Sequence, residues 1–526
     1  MIARASLIQP TDSPARSVYS RQTKANAQAC IQRNISRQQR RQQQGDRVAR
    51  EGEDSTWSPV SIAVAIGGAI PIAVVCASGA SPWGVAPMIV LWLLAAALIN
   101  PRTCIALTFV FLALQGDVRR IVSVGVGQGS DPLVLVPPMV VIVLTIMALM
   151  QNRLSRKSPI SRNVLIVLLI MAIQALNPMQ GGLLVGLTGV LCVMVPMCWF
   201  WVGQAWATPR FLDTILFRVI VPLTVAAGVF GVVQVFGGRP DYQEQWMERL
   251  YQSLPHTYDR SRPFGFFTSV GEFTKFLSIG LVLLVTSAMV GRVRLLIVAL
   301  PFIALSLFFA SARGPIVTCS GVIIFAWALC SKSKTGGVVR VVLASACIIG
   351  GLIWTLSEVS DIELSPDLQY LVRHQTDGLL NPLDERKSTA TGHWYSALGG
   401  VGQAMGNPIG RGLGCATHVA GAYGGSTAGT EIDISNMFVC LGLIGGIAYT
   451  LLYFRVFSTA IAYWRRSRAP IGLCAFAVLL AVAGNWLNTG EYSSVSIAWF
   501  CIGAIDRLSS EWKQDDSARR MGMAAA

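Results

Sequence analysis

The chain has 526 residues, of which 53% are hydrophobic and only 13% are charged. Soluble domains carry about 25% charged residues. The deficit excludes an ordinary water-soluble enzyme and places most of the chain in lipid, where a charge at mid-helix costs roughly 2.5 to 3.5 kcal/mol. The formal net charge is +15, but the Lys and Arg residues cluster where membrane orientation puts them, so no nucleic-acid partner is implied.

Residues 1–57 are rich in Arg, Gln and Ser and show no apolar periodicity. Such a segment buries too little surface to offset chain entropy and reads as a disordered, basic cytoplasmic tail. Its Arg-rich tract over 33–50 could lie on an anionic membrane surface. No cleavable signal peptide is read here, so the first span is expected to act as its own signal.

Apolar runs approaching the ~20 residues that cross a bilayer then recur. About fourteen spans are expected, near 60–80, 83–99, 103–115, 132–150, 163–177, 181–203, 211–236, 271–290, 294–310, 314–330, 338–356, 436–456, 470–488 and 491–505. The third is short and reads as a possible re-entrant piece. The fold class is an all-α polytopic membrane protein with about 12 to 14 transmembrane helices. Transmembrane segments occupy 58–356 and 436–506, and residues 507–526 form a cytoplasmic tail. Proline interrupts several spans, and no internal repeat of the transporter kind is visible.

Orientation follows from Lys and Arg in the short connections. Arg153, Arg156, Lys157 and Arg162 follow span four, Arg292 and Arg294 follow span eight, and Lys332, Lys334 and Arg340 follow span ten. Arg465, Arg466 and Arg468 follow span twelve. All fall on the side of the basic N-terminus, as the positive-inside rule requires for a bacterial inner-membrane protein with a cytoplasmic N-terminus. Two longer connections then face outward, one near 237–270 and a large periplasmic loop over 357–435, in which acidic residues outnumber basic ones.

The cysteines do not suggest a disulfide framework. Most lie in apolar runs, as small hydrophobes do; Cys415 falls in the large outer loop, with no partner expected there. No Cys/His spacing of the zinc type is present, and no metal or cofactor is expected.

All four histidines, His256, His374, His393 and His418, lie in the two outer connections. Histidine is the side chain best placed for proton transfer near neutral pH. Arginines are the second signal: Arg119, Arg120, Arg239, Arg262, Arg313, Arg373, Arg386 and Arg411 occupy the face where the orientation rule disfavours them. Arg313 sits between two apolar spans, where a guanidinium needs a partner or a water-filled cavity; its plainer reading is an anchor at a helix end. A guanidinium binds phosphate through paired hydrogen bonds and stays charged at any pH. The third signal is the Gly-rich run Gly406-Asn407-Pro408-Ile409-Gly410-Arg411-Gly412-Leu413-Gly414, a turn type that lets backbone amides approach a phosphate or sugar.

Four pieces of sequence carry a family resemblance. They are Arg262-Pro263-Phe264-Gly265-Phe266-Phe267 before a span, Ser311-Ala312-Arg313-Gly314 opening a span, His393-Trp394-Tyr395 leading to the Gly-rich run, and Glu431-Ile432-Asp433-Ile434-Ser435-Asn436 running into Gly442-Leu443-Ile444-Gly445-Gly446. In order and placement they resemble the O-antigen ligase and polymerase superfamily, over roughly residues 239–490. The resemblance implies a metal-independent, inverting glycosyltransferase that needs no cofactor. Its donor would be an oligosaccharide on undecaprenyl diphosphate, its setting the lipid bilayer, and its partners chain-length-regulating and export proteins. Carried over by motif, Arg262 and Arg313, with Arg411, become diphosphate ligands, and His418, His393 or Asp433 the base that activates the acceptor hydroxyl. The sequence departs from the family at His393, where many members have Arg, and at Ser435, where many ligases have His. The missing histidine shifts the reading from ligase to repeat-unit polymerase. A lipid-linked sugar flippase or transporter is the rival class, but its charges are expected near mid-span, and these spans hold few acids.

The topology has a direct test. Alkaline phosphatase fused within 357–435 should be active and fluorescent protein fused after Arg468 should fold, whereas active phosphatase after Arg468 would overturn the orientation.

Overall fold

A computed structural model of the chain describes residues 58–123, 131–155, 158–253, 262–291, 294–360, 365–382, 384, 390–417, 421, 428–430, 432–487 and 491–523. The tail expected over 1–57 lies outside the described residues. Among those described there is no strand, and the chain is an all-α, polytopic membrane protein.

The helices run in chain order as α1 (Pro59–Ala77), α2 (Pro82–Ile99), α3 (Pro101–Ser123), α4 (Pro132–Met150), α5 (Pro159–Gln174), α6 (Leu183–Trp206) and α7 (Pro209–Phe236). A short amphipathic α8 (Asp241–Ser253) precedes α9 (Val270–Met289), α10 (Arg294–Phe309), α11 (Arg313–Leu329) and α12 (Lys334–Ser360). Two further helices, α13 (Pro366–Leu380) and α14 (Ala390–Gly406), lie in the segment expected to be the large outer loop. The chain closes with α15 (Asp433–Ser467), α16 (Pro470–Ala481) and α17 (Tyr492–Met523). Eight described helices are long and apolar enough to cross a membrane, and four more are apolar but shorter.

Many of these helices begin at proline, whose missing N–H is unneeded in the first turn. Ser158 and Thr208 reinforce two such starts by accepting from Ser161 N and Phe211 N. The third expected span is longer than its apolar run suggests: α3 has 23 residues, about 34 Å at 1.5 Å per residue. Its polar end, with Gln115, Asp117, Arg119 and Arg120, hid that length from a hydropathy reading. At the other end of the chain α17 does not stop near residue 505 but continues helical to Met523, so part of the expected tail is helix.

The core lies where α6 and α17 cross. A Cβ on Gly203 would come within 2.1 Å of Phe500 O, and one on Gly503 within 2.0 Å of Phe200 O. Glycine at both crossing points lets the backbones approach, as small residues do between membrane helices. Trp199, Phe109 and Phe500 pack around this crossing, with ring centroids 4.9 to 6.5 Å apart. Helices α1 and α12 are peripheral, with Ile70, Val74, Val338 and Trp354 exposed where lipid would cover them.

Contacts between connections sort into two groups. At one end, Gln204 joins the 151–158 connection to Asp506, Arg507 donates to Ala205 O, and Trp464 to Leu329 O. At the other end, Arg239 donates to Arg262 O, Arg313 to His374 O, Gln174 to Ile409 O and Lys275 to Asn485. All the candidate ligands and bases that are described lie at this second end.

Helix α15 is broken at Gly442, whose φ is 70°. Leu443 N leaves the helical ladder and donates to Pro408 O at 2.9 Å. The carbonyls of Val439 and Cys440 instead accept from Arg411 N and Gly412 N, at 2.9 and 3.1 Å. The break therefore leaves these backbone groups bonded. A Cβ at Gly442 would sit 2.1 Å from Pro408 O. A left-handed non-glycine residue costs about 1 to 2 kcal/mol before any clash. Gly442→Ala should therefore lower the melting temperature of the detergent-solubilised protein or abolish its accumulation, and a wild-type melting curve would show that the break is dispensable.

Candidate functional site

The first element of the site is the run Arg262–Phe267, clamped from three sides. From α7, Gln234 Oε1 accepts from Phe264 N and Gly265 N at 3.0 and 2.8 Å, while its Nε2 donates to Gly265 O at 3.0 Å. From α3, Arg120 donates to Phe267 O, and Asp117 N to Phe266 O. The buried Arg120 guanidinium pairs with Asp117 and lies 4.7 and 4.3 Å from the Trp246 and Phe264 ring centroids. From α8, Tyr242 and Gln243 donate to Asp117 at 2.9 and 2.7 Å. Burial, and behind it the Asp117 carboxylate, push the Tyr242 phenol above its ordinary range. Arg239 pairs with Glu244 and donates to Arg262 O at 3.1 Å. The result is a rigid platform that fixes where the Arg262 backbone leaves the bundle.

The second element is Arg313, at the start of α11. Ser311, in the turn before it, is buried in the left-handed region with φ 54°. The Arg313 guanidinium donates to His374 O at 2.5 Å and packs on Gly378, where a Cβ would come within 1.9 Å of it. Helix α13 thus clamps it, and Leu371 and Val372 of that helix pack on Phe309. The charge of Arg262 acts on Arg313, as does the opposite charge of Asp377. Two predicted diphosphate ligands, some fifty positions apart in sequence, are therefore brought within electrostatic range. Beside them, the Ser311 hydroxyl and both polar atoms of the fully buried Gln375 have no hydrogen-bond partner among the described residues.

The third element differs from expectation. Most amides of the Gly-rich run are already bonded within the protein. Gly410 N donates to Asn407 O, Arg411 N to Val439 O, Gly412 N to Cys440 O and Gly414 N to Gln180 Oε1. Its carbonyls are held as well, Ile409 O by Gln174 and Gly410 O by Asn177. The glycines serve close packing: a Cβ on Gly410 would meet Gly442 N at 2.5 Å, and one on Gly414 would meet Val185 O at 2.1 Å. Arg411 is half-buried in this run, against the break in α15.

The candidate bases separate in the same way. Asp433 is buried, and its Oδ2 accepts from Tyr449 at 2.8 Å and from Trp486 N at 2.7 Å, while Asp433 N donates to Gly484 O. This carboxylate ties the start of α15 to the turn before α17. A general base must reach the hydroxyl it deprotonates; Asp433 is enclosed, and its Oδ1 has no hydrogen-bond partner among the described residues. Ser435 accepts from Gly400 N and donates to Ser396 O, at 3.0 and 2.9 Å, and Gly400 is packed directly on it. That junction of α14 with α15 has no room for a histidine. His393 lies one turn before Ser396 on α14 and is exposed. His418 and His256 lie outside the described residues.

Several residues at this end were not singled out from sequence. Glu272, expected to lie in a nearly acid-free span, is buried; it accepts from Ser493 N and Oγ and from Thr268 N and Oγ1. Lys275 pairs with Glu491 and donates to Asn485 at 2.8 Å. Gln234 was equally visible as an isolated polar residue in an apolar run, which is the signal that would have found it. Cys415, expected to lack a partner, has the Cys440 Sγ at 3.4 Å; the boundary between loop and span had separated the two.

No protein-family model matches the chain, and no curated protein matches it.

Gln234 is the tie that most directly shapes the platform. Gln234→Ala would leave buried backbone groups of Phe264 and Gly265 unsatisfied, at about 1 to 3 kcal/mol each. The variant should melt several degrees below wild type in detergent, and an unchanged melting temperature would show that the platform is held without it.

Proposed function

We propose that the protein is an inverting glycosyltransferase of the bacterial inner membrane, which polymerises oligosaccharide repeat units carried on undecaprenyl diphosphate at the periplasmic face. The observation that supports this most is the convergence of Arg262 and Arg313. The charge of Arg262 and the opposite charge of Asp377 both act on Arg313. A diphosphate fits such a place, because guanidinium groups match its oxygens in pairs.

In this reading the donor's diphosphate lies against Arg262 and Arg313. As the glycosidic bond to the diphosphate breaks, negative charge grows on the leaving oxygen, and prepositioned cations stabilise it strongly where water is scarce. The acceptor hydroxyl attacks the opposite face of the anomeric carbon, which inverts its configuration, while a base takes the hydroxyl proton. With Asp433 enclosed, the base falls to a histidine of the outer connection, His393 or His418. The enclosed Ser435 stands where many ligases of the resembling superfamily carry histidine, which favours polymerisation over transfer to lipid A core.

Arg313→Lys keeps the charge and loses the planar fork, so polymer synthesis should fall well below wild type; Arg313→Ala should fall further. Loss of such a donor typically costs about 2.7 to 4 kcal/mol, or roughly 100- to 1000-fold in rate. Arg262→Ala should behave alike, with membrane insertion verified for each variant because Arg313 also braces α13. Near-normal polymer yield from a well-inserted Arg313→Ala protein would remove the diphosphate site. Lipid analysis of a deletion strain separates the reactions: single lipid-linked repeat units accumulate if a polymerase is lost, long lipid-linked chains beside uncapped core if a ligase is lost.

A further inference from the structure

Cys415 ends the Gly-rich segment, in the 3-10 turn Leu413–Ala416, and Cys440 lies two residues before the break in α15. Both are buried, with relative exposures of 1% and 0%. Their Sγ atoms are 3.4 Å apart. The backbones are already joined at this point: Gly412 N donates to Cys440 O, and Cys415 N donates to Gly412 O. Ala428 N returns to Cys415 O from the far side of the connection. Two thiols are thus held in register by hydrogen bonds that do not involve sulfur. They sit at the end of the bundle that the charge pattern turns toward the oxidising side of the membrane, where disulfides persist.

We propose that Cys415 and Cys440 are joined as a disulfide in the protein as it exists in the cell. The reaction is thiol–disulfide exchange with an external disulfide, carried by a periplasmic oxidase or by oxidised glutathione. One thiol loses its proton and attacks the external S–S bond, giving a mixed disulfide and one released thiol. The second thiolate then attacks the chain's own sulfur, forming the Cys415–Cys440 bond and releasing the second thiol. Two cysteine thiols are oxidised, two protons leave, and the external disulfide takes both electrons. Because both sulfurs are buried in the finished fold, the exchange precedes the packing of the Gly-rich segment on α15. The bond closes a ring over 415–440 that includes His418, Asp433 and Ser435. Closing such a ring restricts the unpacked chain and adds a covalent tie where Gly442 has weakened the helix. The proposal rests on the outward orientation of this end, and not on the glycosyltransferase reading.

The test uses the full-length protein in membranes from cells grown without reductant. Free thiols are alkylated in SDS before digestion, and peptides are identified by mass spectrometry. The expected result is a linked peptide pair containing Cys415 and Cys440, lighter by two hydrogens than the separate thiol peptides, which resolves into two alkylatable peptides after dithiothreitol. In Cys415→Ser, Cys440 should become alkylatable without reductant. Dithiothreitol should lower the melting temperature of the wild type and leave a Cys415→Ala/Cys440→Ala variant unmoved. Complete alkylation of both cysteines in the unreduced wild type overturns the proposal. A phosphatase fusion at residue 430 then tells whether orientation or pairing was at fault, while polymer assays report separately on the glycosyltransferase reading.

Discussion

Backbone N–H and C=O groups away from water must find partners within the protein, and in a membrane bundle this requirement reaches every place where the chain is not helical. Here backbone-to-backbone bonds meet most of the requirement, and buried glutamines complete it at several irregular segments. Gln234 holds the 264–265 backbone, Gln174 and Gln180 hold the 409–414 backbone, Gln115 donates to Leu133 O, and Gln204 bridges the 155 backbone to Asp506. An amide side chain offers both a donor and an acceptor without a charge, so it can complete an irregular backbone where a carboxylate or ammonium would be costly. The amides Gln234, Gln174 and Gln180 thus hold two irregular segments, 262–267 and 406–414, at the same end of the bundle.

The break in α15 belongs to the same economy of backbone bonds. By giving up a stretch of its own ladder at Gly442, the helix gains the 408–412 segment as a bonded neighbour. That exchange fixes Arg411 and Cys415 against the bundle and brings α14, with His393, alongside α15 through Ser435. The charged residues follow a comparable logic. Arg120, Arg239, Lys275, Glu272 and Glu491 are each placed with a carboxylate, a cation, a hydroxyl or a backbone group, and build the wall behind the site. Arg313 donates likewise to His374 O, and the charge of Arg262 acts on it as well.

The apolar runs were legible from the sequence because hydrocarbon tolerates few alternatives to a helix, and eight of the described helices are long and apolar enough to cross a membrane. Each expected span falls on a helix of the structure. The polar end of α3 and the continuation of α17 were not legible, since hydropathy marks what lipid accepts and not where a helix stops. Arg313 was visible as a charge between two apolar runs, and its neighbour Arg262 as part of a short motif; neither position says that the two meet. The Gly-rich run misled in an instructive way. Glycine permits both an anion cradle and close backbone packing, and local composition does not distinguish them. The bonds to Val439, Cys440 and Gln180, from residues far away in sequence, decide for packing.

By itself, then, the sequence determined the all-α polytopic class, because that follows from the transfer free energy of side chains taken one run at a time. It also marked Arg262, Arg313, His374 and His393, which the structure places at one end of the bundle. The tertiary structure decided which of those residues share a place: Arg262 with Arg313, Asp433 enclosed by Tyr449 and Trp486, Cys415 beside Cys440. The physical reason is that such meetings depend on how helices cross and where one of them breaks, and these are settled by glycine contacts and backbone exchanges between segments that no local pattern joins.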